Sequence, residues 1–206
     1  MKNFVVVVDT QYDFMMPDGI LYVKGAEETI LPIIQYLGNL TPDITSGVLF
    51  TFDTHTRDQY EGSPESELFP LHCERGTLGH KNVINEKLMW KGEALDKTEN
   101  IPQYFLHKEV FNMWESTLIN GPYSLKNFEY FLEKRAPVQE TEAVDIIGVA
   151  LNFCVKQAAD GFIERGYKVR LHTSMTRGIE TGKPGDLDTR ILYADEIANG
   201  KVIVVD

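Results

Sequence analysis

Cysteine is scarce in this chain of 206 residues, which contains two, Cys73 and Cys154. Two thiols are too few for the disulfide framework of a small secreted domain. They fit a reducing compartment, where a lone thiol can serve as a nucleophile. We therefore expect a cytoplasmic protein in which one of the two cysteines carries the chemistry.

Long apolar runs are also missing. The strongest apolar run near the start is the segment 4–8, far short of the roughly 20 residues that cross a bilayer. The first residues also lack the longer apolar region and the small-residue cleavage site of a secretory signal. We expect a soluble protein without a membrane partner.

Basic residues are outnumbered by acidic ones. The chain has 20 Lys and Arg against 31 Asp and Glu, a formal net charge of −11, with no run of basic residues. Nucleic-acid binding depends on basic clusters because they neutralise phosphates, so we expect no nucleic-acid partner. A homo-oligomer is compatible with this composition, because an acidic surface alone says little about assembly.

The composition and patterning indicate one α/β domain spanning residues 1–206. Hydrophobic residues make up 43% of the chain, enough for the core of one domain. Short β-branched runs alternate with stretches of helical periodicity, and no internal repeat interrupts them. This alternation predicts a three-layer α/β/α fold with a mostly parallel central sheet.

The individual elements follow from apolar spacing. Strands are predicted at 4–8, 47–53, 104–108, 143–149, 167–173 and 202–205. Helices are predicted at 30–37, at 124–132 with Ser124 as N-cap, and at 155–166. Between 54 and 79 the sequence is irregular and rich in Gly, Pro, Ser and His, which is typical of a loop that carries a site.

Four reactive side chains follow predicted strands at or just beyond their ends: Asp9, Asp53, Lys108 and Cys154. The carboxyl ends of parallel strands meet at one edge of a sheet, where α/β enzymes place their sites. The sequence therefore predicts an active site at this edge.

Cys154 is a candidate nucleophile. Asn152 is placed to cap the following helix, which would set the thiol in its first turn, where the helix dipole lowers a thiol pKa. Asp9 could accept the thiol proton, and Lys108 could stabilise the thiolate. Each residue also has an ordinary structural interpretation: a buried small hydrophobe, a turn former and a solvated lysine.

Asp53 and His55 are two residues apart, so in extended chain they project from one face, as two metal ligands would. Five further donors lie in the loop region: Glu61, Glu65, Glu67, His72 and His80. A mixed imidazole and carboxylate set suits zinc, iron or manganese better than calcium. On spacing alone, a solvated acidic loop with a hydrogen-bonded histidine is the favoured interpretation, and Cys73 is more typical of a buried thiol than of a ligand.

Five stretches resemble, in this order, the motifs of the isochorismatase-like cysteine hydrolases, and among them the nicotinamidases. They are residues 7–14 (VVDTQYDF), 53–55 (DTH), 68–77 (LFPLHCERGT), Lys108 and residues 148–156 (GVALNFCVK). The resemblance spans most of the chain, and it implies the isochorismatase-like hydrolase fold.

The resemblance also implies roles for particular residues. Asp9, Lys108 and Cys154 would form the catalytic triad, and the N–H groups of Ala150 and Cys154 the oxyanion hole, next to a cis peptide at Val149-Ala150. The remaining implied residues are Asp53, His55, Glu65 and His72 as metal ligands, with Glu65 preferred over Glu61 and Glu67, and Phe14, Phe69 and Trp114 as substrate-binding aromatics.

The implied activity is metal-dependent hydrolysis of nicotinamide to nicotinate and ammonia through a thioester, a step of NAD salvage, with zinc as the expected ion and iron or manganese as alternatives. A hydrolase for another small amide, such as a pyrazinamide-like or carbamoyl compound, is the second interpretation, and an inactive binding module the third. Asn152 stands where the family often has an acid, Asn112 where a small residue is usual, and the 80–103 segment is longer than usual.

Overall fold

A computed structural model of the chain describes residues 1–84, 101–115 and 125–206. In these ranges the strands are β1 (Lys2–Val8), β2 (Thr45–Asp53), β3 (Gln103–Lys108), β4 (Thr141–Val149), β5 (Val169–Arg177) and β6 (Val202–Val205). The α-helices are α1 (Tyr12–Met15), α2 (Ile30–Gly38), α3 (Arg57–Tyr60), α4 (Leu125–Arg135), α5 (Lys156–Glu164), α6 (Thr189–Leu192) and α7 (Ala194–Ala198). A 3₁₀ turn (Ala26–Thr29) precedes α2, and a π-helical turn (Leu151–Val155) precedes α5.

The six strands form one sheet in the order β3-β2-β1-β4-β5-β6. All five strand pairings are parallel, so the sheet is more uniform than the mostly parallel one predicted. The strand order reverses between β1 and β4. In open α/β sheets this reversal creates a crevice beyond the carboxyl ends of the two strands, where ligands bind.

Helices cover both faces of the sheet and give the predicted three layers. Alternate residues of β1 face opposite sides: Phe4, Val6 and Val8 pack with α4 and α5, while Val5 and Val7 pack with α1 and α2. All five of these residues are buried. Since β1 is covered on both sides, its sequence is a continuous apolar run rather than an alternating one.

Each predicted strand and helix has an observed counterpart, with ends shifted by up to four residues, and the structure adds four short helices that were not predicted, α1, α3, α6 and α7. Pro32 lies in the first turn of α2, where its missing N–H is tolerated. The loop over 54–79 contains one short helix, α3. The predicted N-cap Ser124 and most of the long 80–103 segment, from 85 to 100, lie outside the described residues.

None of the helices in the described ranges combines the length and the apolar composition that crossing a membrane would require.

Gly148 allows β1 and β4 to approach closely at the strand-order reversal. Its φ is 113°, a conformation that favours glycine. A Cβ atom at this position would lie 2.1 Å from the carbonyl oxygen of Val8. Because glycine lacks this atom, β1 and β4 can lie close together, and Asp9, which follows β1, lies close to the turn that follows β4.

We expect Gly148→Ala to destabilise the fold by at least about 3 kcal/mol, because a left-handed conformation and a backbone clash both oppose the methyl group. Gly62→Ala is the matched control, since Gly62 has φ of 80° with nothing within 4 Å of a Cβ; it should cost about 1 kcal/mol. Urea unfolding of both variants measures the difference. Equal losses would contradict the close approach of β1 and β4.

Candidate active site

Asp9, Lys108 and Cys154 come together beyond the carboxyl ends of β1, β3 and β4. The Lys108 Nζ atom lies 2.8 Å from Asp9 Oδ2 and 3.4 Å from Cys154 Sγ. All three residues are buried. The structure therefore assembles the three residues that the sequence selected from separate strand ends.

Thr51 of β2 fixes the orientation of the Asp9 carboxylate. Asp9 Oδ1 accepts a hydrogen bond of 2.6 Å from the Thr51 hydroxyl, and the Asp9 N–H donates to the same hydroxyl oxygen at 3.2 Å. The φ of Asp9 is 46°, which is uncommon for a residue other than glycine. The carboxylate is thus held in one orientation, with Oδ2 directed to Lys108.

Lys108 carries a buried positive charge between two carboxylates. Besides Asp9, its Nζ lies 3.3 Å from Asp53 Oδ1. Burial opposes the charged form, but Asp53 and Asp9 outweigh it and raise the pKa of Lys108 well above its usual value. Burial likewise opposes ionisation of Asp53, yet Lys108 and the imidazoles of His55 and His72 hold its pKa well below the usual range.

The turn that carries Cys154 differs from the predicted helix start. Cys154 lies in the π-helical turn, and Phe153 has non-helical φ and ψ of −126° and −106°. Asn152 does not cap the helix; its side chain instead bonds the backbone of Ile179. The peptide bond Val149-Ala150 is cis, as the resemblance implied.

The prediction that Cys154 has a lowered pKa is wrong. Burial raises the pKa of the thiol well above its usual value, and Asp9 and Asp53 add to the increase, while Lys108 opposes it. The kinked turn also removes the regular first helical turn on which the prediction depended. At neutral pH Cys154 is therefore a thiol beside a carboxylate that can take its proton, rather than a standing thiolate.

A second cluster lies next to these residues and shares Asp53 with them. Its donors are Asp53, His55, Glu65 and His72, whose candidate ligand atoms all lie within 4.8 Å of one another. His72 Nε2 is 2.9 Å from Asp53 Oδ2 and 3.4 Å from Glu65 Oε1; His55 Nε2 is 3.1 Å and 3.8 Å from the same two oxygens. All four residues are buried.

This cluster fits a divalent metal ion. Ligands about 2.0 Å from a tetrahedral zinc lie roughly 3.3 Å apart, close to the spacings of these donor atoms. Both carboxylate oxygens of Glu65 are buried without a hydrogen-bond partner in the described part of the chain. Burial opposes protonation of His72, yet Asp53 and Glu65 raise its pKa to about 10, so the cluster attracts a cation.

The structure distinguishes among the other candidate ligands. Glu61 and Glu67 are exposed, so Glu65 is the acid of this loop that joins the cluster. His80 Nε2 instead lies 2.9 Å from the Thr54 hydroxyl. Cys73 is fully buried and bonds the Asp13 carboxylate through its N–H, which agrees with a structural thiol.

Two of the three candidate aromatics lie near the site. Phe14 stands edge-on to His72 with ring centroids 5.2 Å apart, and Phe69 contacts the ring of Phe153 at 5.5 Å, next to Cys154. Trp114 does not join them. Its ring packs in the core against Phe128 and Phe162, with the Arg165 guanidinium 3.8 Å over its face.

Several supporting residues were not predicted from the sequence. Thr51 orients Asp9. The Gln11 side chain pairs with both the N–H and the carbonyl of Asp53, at 2.7 and 2.8 Å. Phe111 packs on Phe69 at 5.9 Å. Polar residues at 51 and 53 of a buried strand share one face, a signal that could have identified Thr51.

No protein-family model matches the chain. Two curated relatives match most of it. The nicotinamidase of Saccharomyces cerevisiae is 26% identical over 85% of this chain and 88% of its own length. The nicotinamidase/pyrazinamidase of Mycobacterium tuberculosis is 25% identical over 98% of this chain and 97% of its own length.

Solved structures agree. The nicotinamidase/pyrazinamidase of Bacillus subtilis superposes with a TM-score of 0.71 at 18% identity, covering 100% of both chains. The yeast nicotinamidase bound to the inhibitor nicotinaldehyde gives 0.68 at 25% identity over 99% of both chains. The chain is similar in sequence to these nicotinamidases and shares their fold, the isochorismatase-like hydrolase fold. The pyrazinamidase of Pyrococcus horikoshii, solved in complex with zinc, gives 0.68 at 22% identity over 100% of this chain and 99% of its own.

We expect Glu65→Gln to weaken zinc binding by at least about 100-fold, because it replaces a buried carboxylate that faces both imidazoles with a neutral amide. The exposed neighbour provides the control: Glu67→Gln should bind zinc as the unmodified chain does. Competition with a chromophoric chelator measures both affinities. Equal affinities in the two variants would remove Glu65 from the ligand set.

Proposed function

We propose that the chain hydrolyses nicotinamide to nicotinate and ammonia, with Cys154 as nucleophile and one bound divalent metal ion. The observation that carries the proposal is the arrangement around Asp53. One of its oxygens lies 3.3 Å from the lysine that contacts Cys154, and the other faces the two histidines of the metal-binding cluster. A thiol nucleophile and a metal-binding cluster thus share one buried site.

The comparisons support nicotinamide as the substrate. Both curated relatives are nicotinamidases, and the yeast enzyme binds nicotinaldehyde, an aldehyde analogue of the amide. The zinc in the Pyrococcus structure supports zinc as the ion, with iron and manganese as the alternatives. The two reduced thiols favour a reducing compartment, so we propose that the reaction takes place in the cytoplasm.

The first step forms a thioester. The Cys154 thiol gives its proton to Asp9 while its sulfur bonds to the carboxamide carbon. Because the pKa of the thiol is raised by burial, the thiolate forms during attack rather than beforehand. The Lys108 ammonium, 3.4 Å from the sulfur, stabilises the developing negative charge.

The carbonyl oxygen becomes an oxyanion during attack. In the proposal the N–H groups of Ala150 and Cys154 hold it, because these residues bracket the turn that presents the sulfur. The carbon–nitrogen bond then breaks, and Asp9 returns its proton to the departing ammonia. This leaves a nicotinoyl thioester on Cys154.

Water completes the cycle. Asp9 removes a proton from the water, the resulting hydroxide attacks the thioester carbon, and the carbon–sulfur bond breaks to release nicotinic acid, which loses its own proton to solvent and becomes nicotinate. Cys154 leaves as a thiolate and regains the proton held by Asp9. Lys108 remains charged throughout, since its position between two carboxylates keeps its pKa high.

The residues that would hold the metal ion are Asp53, His55, Glu65 and His72. When bound, the ion would act as a Lewis acid toward the pyridine nitrogen and so orient the ring. Phe14, beside His72, and Phe69, beside Phe153, would pack on the faces of that ring. The carboxamide then lies toward Cys154.

The other two interpretations have less support. An inactive binding module would not need a lysine buried against both an aspartate and a cysteine. A carbamoyl compound would use the same triad but has no ring nitrogen to bind a metal ion in the second cluster. A pyrazinamide-like ring does offer such a nitrogen, so the cluster favours an aromatic amide with a ring nitrogen.

The test is ammonia release from nicotinamide by the zinc-loaded protein. We expect turnover that falls at least about 1,000-fold in Cys154→Ala, which lacks the nucleophile, and that is lost on chelation and restored by zinc. Glu67→Gln, in the same loop but exposed, should retain full activity. No turnover by the metal-loaded protein, or full turnover by Cys154→Ala, would overturn the proposal.

A further inference from the structure

The turn that carries Cys154 is not a regular α-helical turn. No side chain caps its start, and Phe153 interrupts the helical conformation. The N–H groups of Phe153 and Val155 both donate to the carbonyl of Ala150, at 3.0 and 3.1 Å. Because this turn lacks a continuous helical ladder, its position depends on contacts with other segments.

Asn152 makes such a contact with the segment 178–188. Its Oδ1 accepts a hydrogen bond from the Ile179 N–H at 3.0 Å, and its Nδ2 donates to the Ile179 carbonyl at 2.9 Å. A side-chain amide that pairs with both polar groups of one residue fixes two segments in one relative position. A Cβ atom at Gly178 would lie 2.9 Å from Asn152 Oδ1, so the approach is close.

Asp186 explains why a neutral amide is needed at this position. The Asn152 Nδ2 atom lies 3.3 Å from Asp186 Oδ2, and the Thr181 hydroxyl donates to the same oxygen. A carboxylate at position 152 could still accept from the Ile179 N–H. It would, however, face the Ile179 carbonyl and the Asp186 carboxylate without a proton to donate.

We infer that Asn152 is a positioning residue: it ties the nucleophile turn to the segment 178–188, and Asp186 makes this tie depend on a neutral side chain that donates a hydrogen bond. Its effect on catalysis rests on the proposed function. Its effect on the segment and on the Cys154 thiol does not.

The experiment compares Asn152→Asp, Asp186→Asn and the double variant with the unmodified chain. Hydrogen exchange of peptides covering 178–188 reports the tie, and the rate at which iodoacetamide alkylates Cys154 reports the thiol. In Asn152→Asp we expect exchange to be about tenfold faster and kcat about tenfold lower, with KM changed by less than about twofold, because misplacement of the sulfur affects reaction more than binding. The rate at which iodoacetamide alkylates Cys154 should change in the same direction as kcat.

The double variant provides the decisive comparison. Removing the Asp186 charge restores a donor beside the new carboxylate, so exchange and kcat should recover by at least about threefold relative to Asn152→Asp. Asn39→Asp is the control, since Asn39 also donates to a carbonyl, of Gln35, but on an exposed helix end; it should behave as the unmodified chain.

Faster exchange with unchanged kcat and alkylation would overturn the positioning role. Failure of Asp186→Asn to rescue Asn152→Asp would overturn the part assigned to Asp186. If Asn152→Asp does not fold, Asn152→Ser removes the paired amide without adding charge and should show the same changes in exchange and alkylation. If nicotinamide is not turned over at all, the proposed function fails, while exchange and alkylation still decide whether Asn152 positions the turn.

Discussion

The rest of the site depends on the ion pairs of the buried Lys108 ammonium. It is buried between Asp9 and Asp53, with Cys154 as its third neighbour. A buried charge is tolerated only when it is paired, because removing it from water costs several kcal/mol. The two carboxylates supply this pairing, and each has a second partner: Thr51 for Asp9, and the two histidines of the metal-binding cluster for Asp53.

The parallel sheet brings these charges together without help from a long loop. The strands β1, β2 and β3 lie side by side, so Asp9, Asp53 and Lys108 reach the same edge, and Asp53 pairs in register with Lys108. Gly148 lets β4 come close to β1, which places the turn that carries Cys154 beside Asp9. The loop over 54–79 then adds the remaining metal-ligand candidates, and Tyr60 bonds the carbonyls of Phe69 and Pro70 within it.

Much of this arrangement could be predicted from the sequence, because apolar runs mark the strands and polar residues mark their ends. The spacing of Asp53 and His55 was compatible with a metal pair but did not favour one, and the full set with Glu65 and His72 required the resemblance, since loop residues have no periodicity to relate them. The positions of the Asn152 and Trp114 side chains differ from the predicted ones for a similar reason. The cap expected at Asn152 assumes a regular helix start, whereas the kink at Phe153 turns that side chain toward Ile179. The neighbours of Trp114 come from distant helices.

Peptide mass spectrometry of the zinc-loaded protein, quenched with acid during nicotinamide turnover, tests the central claim most directly: that the cysteine next to the buried lysine forms a covalent bond to the substrate carbon. The account predicts a nicotinoyl thioester on the peptide that contains Cys154 and none on the peptide that contains Cys73. Turnover without an adduct on Cys154, or with the adduct on Cys73, would contradict it.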